Sequence, residues 1–146
     1  MNWELVSNSP QETYDLGRLI AKNLKDGDVA ALSGTLGSGK TSLVKGIANG
    51  LGIEENITSP TYTIINEYRK NDSNSPPLYH IDVYRLSGDK DFEDIGGVEI
   101  LNSEGISLVE WSERIPKSLP NNAISISIEI TGHSSRLIKI NGLEKP

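Results

Sequence analysis

A chain of 146 residues is about one domain long and can bury one core, so a single domain over 1–146 is expected. The net charge is −6, from 14 basic and 20 acidic residues. Gripping RNA or DNA unaided depends on Lys and Arg neutralising phosphates, and an acidic chain without a basic cluster is poorly built for it.

No apolar run approaches the roughly 20 residues of a bilayer span. The opening Met-Asn-Trp-Glu-Leu has neither the basic n-region nor the apolar h-region of a secretory signal. Cysteine is absent, which removes disulfides and thiolate metal sites. A cytoplasmic protein is the expectation.

In chain order, Ser9-Pro10-Gln11-Glu12 has the pattern of a helix start. Ser9 is the expected N-cap, Pro10 takes the first helical position, and Glu12 closes a capping box. Leu16, Leu19, Ile20 and Leu24 follow at helical spacing, and Gly27 is placed to end the helix. Val29-Ala30-Ala31-Leu32 is a short apolar run of the type found in buried parallel strands.

That run leads into Gly-Thr-Leu-Gly-Ser-Gly-Lys-Thr at 34–41, which matches the phosphate-binding loop pattern Gly-x4-Gly-Lys-[Ser/Thr]. After it, Leu43, Val44, Ile47, Ala48 and Leu51 keep a helical period until Gly50 and Gly52 interrupt. The motif therefore lies between strand and helix, the context a P-loop requires. Its glycines let backbone N–H groups approach phosphate oxygens, and the helix N-terminus adds the positive end of its dipole. Lys40 is expected to reach the β- and γ-phosphates and the Thr41 hydroxyl to ligate magnesium. A bare glycine turn joining strand to helix is the competing explanation.

Residues 61–68 and 78–84 read as two strands joined by the polar, Pro-ended turn 70–77. Residues 106–109 form another buried-type strand. From 124 to 130, isoleucines alternate with Ser125, Ser127 and Glu129, the mark of a strand with one wet face. A turn at 131–134 then leads to a final strand at 136–140. Two or three helices against six or seven strands imply a compact α/β fold with a parallel centre and antiparallel additions.

A P-loop site needs a strand-end acid for magnesium or its water shell. Asp82 follows Leu78-Tyr79-His80-Ile81, and Glu110 follows Ile106-Ser107-Leu108-Val109. Either could hold the metal while the other orients or deprotonates the attacking water. Trp111 suits core packing or a cover over the phosphate pocket. His80 and His133 lack metal-ligand spacing and read as structural or surface residues. Ser59-Pro60-Thr61-Tyr62-Thr63 reads as a turn into a strand, with a γ-phosphate sensor as the sharper alternative.

Taken together, these segments resemble the TsaE family, small bacterial P-loop ATPases of tRNA threonylcarbamoyladenosine synthesis. The resemblance rests on Glu12-Thr13 with Leu16-Gly17, the loop 34–41, Ser59-Pro60-Thr61-Tyr62-Thr63, His80-Ile81-Asp82-Val83-Tyr84-Arg85-Leu86 and Val109-Glu110-Trp111.

It implies a P-loop NTPase-type three-layer fold with antiparallel edge hairpins. It also implies an ATPase, weak alone, that supports TsaB and TsaD in forming threonylcarbamoyladenosine at position 37 of tRNAs reading codons that begin with A. The group transfer itself falls to TsaD, and tRNA is met only through the partners, with no role for DNA or membrane. By position, ATP falls to Thr13, Gly37, Ser38, Gly39, Lys40, Thr41, Ser42, Trp111 and Arg136. Magnesium falls to Thr41 and Glu110, and Asp82, Glu110 and Lys40 form the catalytic group. The alternatives are a small-molecule kinase on the same loop and a non-hydrolysing ATP-gated binding module. The first is disfavoured by five arginines scattered at 18, 69, 85, 114 and 136, with no Arg-rich lid.

Overall fold

The computed structural model describes all residues except 1, 36, 56, 58–63 and 71–73. The described strands form a seven-stranded mixed sheet in the order β1-β7-β6-β2-β5-β4-β3. They are β1 (Asn2–Ser7), β2 (Val29–Gly34), β3 (Ile65–Tyr68), β4 (Leu78–Asp82), β5 (Ile106–Glu110), β6 (Ile124–Ile130) and β7 (Arg136–Asn141). Strands β6, β2, β5 and β4 run parallel through the centre. The β3/β4 and β6/β7 pairs are antiparallel, as is β1 against β7. This is the parallel centre with antiparallel edges expected from the sequence.

Both faces of the central strands β2, β5 and β4 are covered, while one face of β6, with Ser125 and Glu129, stays exposed. On one face Ile20, Leu43, Val44 and Ile47 pack with Ala30, Leu32, Leu108 and Ile126. On the other, Phe92, Leu86, Leu101 and Ile115 pack with Val29, Ile81 and Val109. Adjacent residues of β5 thus serve opposite cores, as the two-residue repeat of a strand requires. Each fully buried aliphatic side chain contributes about 1.5–3 kcal/mol, so the central strands are the mechanical base of the site.

Helix α1 (Pro10–Ala21) begins as expected. Ser9 is its N-cap and accepts from the Glu12 N–H at 3.1 Å, while the Glu12 carboxylate accepts from the Asn8 N–H. The helix stops at Ala21, six residues before Gly27. The N–H groups of Lys22, Asn23 and Leu24 reach back three residues, to Leu19, Ile20 and Ala21, tightening the last turn out of α-geometry. Leu24 remains buried outside the helix, so its periodic placement reflects the core rather than helix length.

Helix α2 (Lys40–Gly50) packs against α1 at backbone contact. A Cβ at Gly46 would lie 2.0 Å from the Tyr14 carbonyl oxygen, and one at Gly17 would lie 2.4 Å from that of Leu43. Only hydrogen fits at this crossing. Two short helices, α3 (Asp89–Asp94) and α4 (Gly97–Leu101), cover the opposite face, with Phe92 fully buried between them and the sheet.

The edge strand β1 is not legible in the sequence. Its inward residues Trp3, Leu5 and Ser7 alternate with exposed neighbours, but the run is brief and its partner β7 lies at the far end of the chain. Trp3 is held there by an indole N–H donated to the Leu143 carbonyl at 2.7 Å.

Candidate functional site

The loop 34–41 joins the C-terminal end of β2 to the N-terminus of α2. Gly37 and Gly39 have φ of 80° and 105°, left-handed backbone that only glycine adopts at little cost. A Cβ at Gly37 would meet nothing within 4 Å, so conformation rather than crowding requires glycine there. Helix α2 opens on Gly39 and has no acidic residue in its first turn. By contrast, α1 is capped by a serine hydroxyl and a glutamate. The positive end of the α2 dipole therefore carries no local carboxylate, which suits an anion.

Within this loop Ser38 is 1% exposed, and its Oγ has no hydrogen-bond partner among the described residues. A buried hydroxyl without a partner is costly, and phosphate oxygens are the acceptors that a loop of this geometry collects. The loop residues fit a bound nucleoside polyphosphate.

Asp82 and Glu110 end β4 and β5 in direct parallel register, on strands about 4.8 Å apart. Glu110 is also level with Leu32 of β2, just before the loop. The three elements therefore bring loop and acids to the carboxyl end of the parallel strands, where open α/β sheets bind ligands.

Glu110 stands next to Lys40. The Lys40 Nζ is 3.7 Å from Glu110 Oε1, and both side chains are nearly buried. The other carboxylate oxygen, Oε2, accepts from His80 Nε2 at 2.6 Å. Burial pushes the Glu110 carboxyl up, yet the hydrogen bond from His80 and attraction to His80 and Lys40 together outweigh it. The group is held below the ordinary carboxylate range. Asp82 is engaged differently: its Oδ1 accepts from the Tyr84 N–H at 2.9 Å, an Asx-type turn that ends the strand.

Trp111 adopts φ 62° and ψ 34°, the only non-glycine with positive φ among the described residues. This left-handed step turns the chain after Glu110 and brings the indole under Lys40, with Nζ 5.0 Å from the ring. Tyr84 packs tilted against the indole at 4.7 Å between centroids, and Arg114 lies 5.0 Å over the Tyr84 ring. Cations at this distance are attracted by the ring face. Trp111 thus flanks the lysine while it packs, half-buried, against the core that holds Ile81 and Val109.

A pocket of about 360 Å³ adjoins the loop, lined among others by Thr13, Gly37, Gly39, Ser42, His133 and Arg136. Thr13 is buried and its hydroxyl is 2.7 Å from that of Ser7. Arg136 directs Nε to the Ser38 carbonyl at 3.0 Å and Nη1 to that of Ser135 at 2.9 Å, with Nη2 3.5 Å from the Gly37 carbonyl. Its guanidinium therefore tethers the loop backbone from outside. Thr41 is exposed on the first turn of α2. The segment 59–63 lies outside the described residues.

The structure thus brings Lys40, Glu110 and Trp111 together, and Thr13, Ser42 and Arg136 around a neighbouring pocket. Asp82 is one strand removed from the lysine. His80, read from sequence as structural or surface, is 2% exposed and bonded to the principal acid. The available signal was periodicity: residues 80 and 82 share one strand face, as do 108 and 110. Only the β4/β5 register makes those faces one.

The chain matches, over residues 7–138, the family model described as Threonylcarbamoyl adenosine biosynthesis protein TsaE. It is similar to tRNA threonylcarbamoyladenosine biosynthesis protein TsaE of Bacillus subtilis, 44% identical over 138 residues, covering 94% of this chain and 83% of that one. The Treponema pallidum protein of the same name is 42% identical over 135 residues, covering 92% and 97%. Among solved structures, the crystal structure of Bacillus subtilis YdiB superposes with a TM-score of 0.75 at 35% identity, covering 100% of this chain and 87% of that one. With sequence and fold in agreement over nearly its whole length, the chain belongs to the TsaE family.

Proposed function

We propose that this chain, as one P-loop domain over 1–146, binds ATP with magnesium on the loop 34–41 and hydrolyses it slowly. We propose further that its cycle serves TsaB and TsaD in forming threonylcarbamoyladenosine on tRNA. The observation that carries the ATPase reading is Lys40 beside Glu110, where a glycine loop, a helix N-terminus and two strand-end acids meet. The pathway is supported by the names of the relatives, and the acidic chain suits a protein that leaves tRNA to its partners.

In this reading the backbone of Gly37, Ser38, Gly39 and Ser42 cradles the phosphates, and Lys40 places its ammonium against the β- and γ-oxygens. Thr41 and Glu110 hold the metal, which when bound neutralises charge developing on the transferred phosphoryl group. Asp82, not committed to the lysine, orients the attacking water or takes its proton. Trp111 covers the lysine, while Thr13 and Arg136 border the remainder of the nucleotide.

The test is phosphate release from ATP by the chain alone and with TsaB and TsaD, beside a tRNA modification readout. Slow release alone, rising with both partners, is expected. Release unchanged by the partners while a small metabolite becomes phosphorylated would make the chain a kinase.

A further inference from the structure

We infer that His80 is a positioning residue of this site: its Nε2–H fixes the Glu110 carboxylate so that Oε1 is presented to Lys40. The inference rests on the ATPase reading above. Three observations carry it. Nε2 and Glu110 Oε2 are 2.6 Å apart, a short hydrogen bond to a carboxylate. His80 is 2% exposed, so the ring cannot swing away without opening the core. The bond also runs diagonally across β4 and β5, because His80 is level with Leu108 and Glu110 lies two residues further on.

A glutamate side chain at a strand end is free to rotate about its terminal torsion. Occupying Oε2 with a rigid ring donor removes that freedom and leaves Oε1 as the oxygen 3.7 Å from the ammonium. Since Glu110 Oε2 is an acceptor, Nε2 must carry the hydrogen. The remaining nitrogen, Nδ1, is buried with no partner among the described residues. Nothing else in the described structure uses the ring's polarity, so a hydrocarbon would fill the space as well if packing were its whole purpose.

The experiment compares the full-length wild type with His80→Leu and His80→Gln in partner-stimulated, magnesium-dependent ATP hydrolysis. ADP affinity is followed by calorimetric titration. Leucine conserves bulk without a donor, whereas glutamine places an amide N–H near the Nε2 position. We expect turnover to fall at least tenfold in His80→Leu, with the magnesium requirement raised and ADP affinity within threefold. His80→Gln should recover most of the loss.

Turnover within twofold of wild type in a folded His80→Leu would overturn the inference. So would a folded His80→Gln as slow as His80→Leu. If neither variant folds, 15N spectra of the wild-type imidazoles decide, since the chain has only two histidines. Hydrogen on Nε2 of His80 supports the role, and an Nε2 without hydrogen refutes it. A wild type without hydrolysis would sink the ATPase reading, while the 15N result would still report on the His80–Glu110 bond.

Discussion

Replacing Gly46 by alanine sets two opposed effects of known size against each other. In a helix interior alanine is favoured over glycine by about 1 kcal/mol, so α2 considered alone gains stability. In the fold, the new Cβ would sit 2.0 Å from the Tyr14 carbonyl oxygen and 3.1 Å from Gly17 Cα, and both atoms are backbone. Ordinary contact begins at 3.4 Å against the 2.0 Å found, so α1 has to retreat from α2 by the difference of about 1.4 Å. Overpacking of this kind costs about 1–3 kcal/mol, occasionally more. Because neither backbone atom can rotate away, the cost falls in the upper part of that range, about 2–3 kcal/mol. Less the helix gain of about 1 kcal/mol, the net destabilisation is about 1–2 kcal/mol, a fall in Tm of roughly 2–8 °C for a chain of this size.

The same retreat carries Thr13 away from the loop, since its Cγ2 lies 3.8 Å from where a Cβ on Gly39 would stand. Misplacement of about 1 Å at a site can cost up to a hundredfold in rate, so ATP affinity or turnover should fall beyond what stability alone explains. Urea unfolding followed by circular dichroism measures the first effect and nucleotide titration the second. Lys45→Ala, exposed on the same helix, is the control and should stay within about 0.5 kcal/mol. A Gly46→Ala protein as stable as wild type would refute the close-contact argument.

Glu110→Gln should separate binding from turnover: ADP affinity is largely kept by the loop backbone, while magnesium-dependent hydrolysis is lost, and equal loss of both would count against the proposed role. Because the folded Glu110 carboxyl lies below its ordinary value of 4.5, its stabilising contribution is full above that pH. It is lost as pH falls through the lowered value, so the stability gap between wild type and Glu110→Gln should narrow below about pH 4.5; parallel unfolding curves would contradict this. At Trp111 the left-handed backbone predicts an unusual order. Trp111→Gly should be more stable than Trp111→Ala by about 1 kcal/mol, and thermal unfolding giving alanine the advantage would disprove the strain. Arg136→Lys keeps the charge but not the fork that reaches two loop carbonyls, so ATP affinity by calorimetry should drop about tenfold, and a change under twofold would argue against a tether.

What the sequence by itself determined was the local chemistry. A serine cap with proline and glutamate starts α1, glycines at 37 and 39 permit the left-handed turns of the loop, and alternating isoleucines fix the two faces of β6. Each depends on residues a few positions apart, so neighbouring residues suffice. The sequence also placed Asp82 and Glu110 at strand ends, but it left them equivalent. Only the tertiary structure put Glu110 against Lys40, turned Asp82 to cap the following turn, and brought His80 diagonally onto the acid. It alone paired β1 with β7 and used Arg136 to hold the loop from outside. Strand register and helix crossing are set by contacts between segments distant in the chain, and the period of a single strand is the same whichever neighbour it meets.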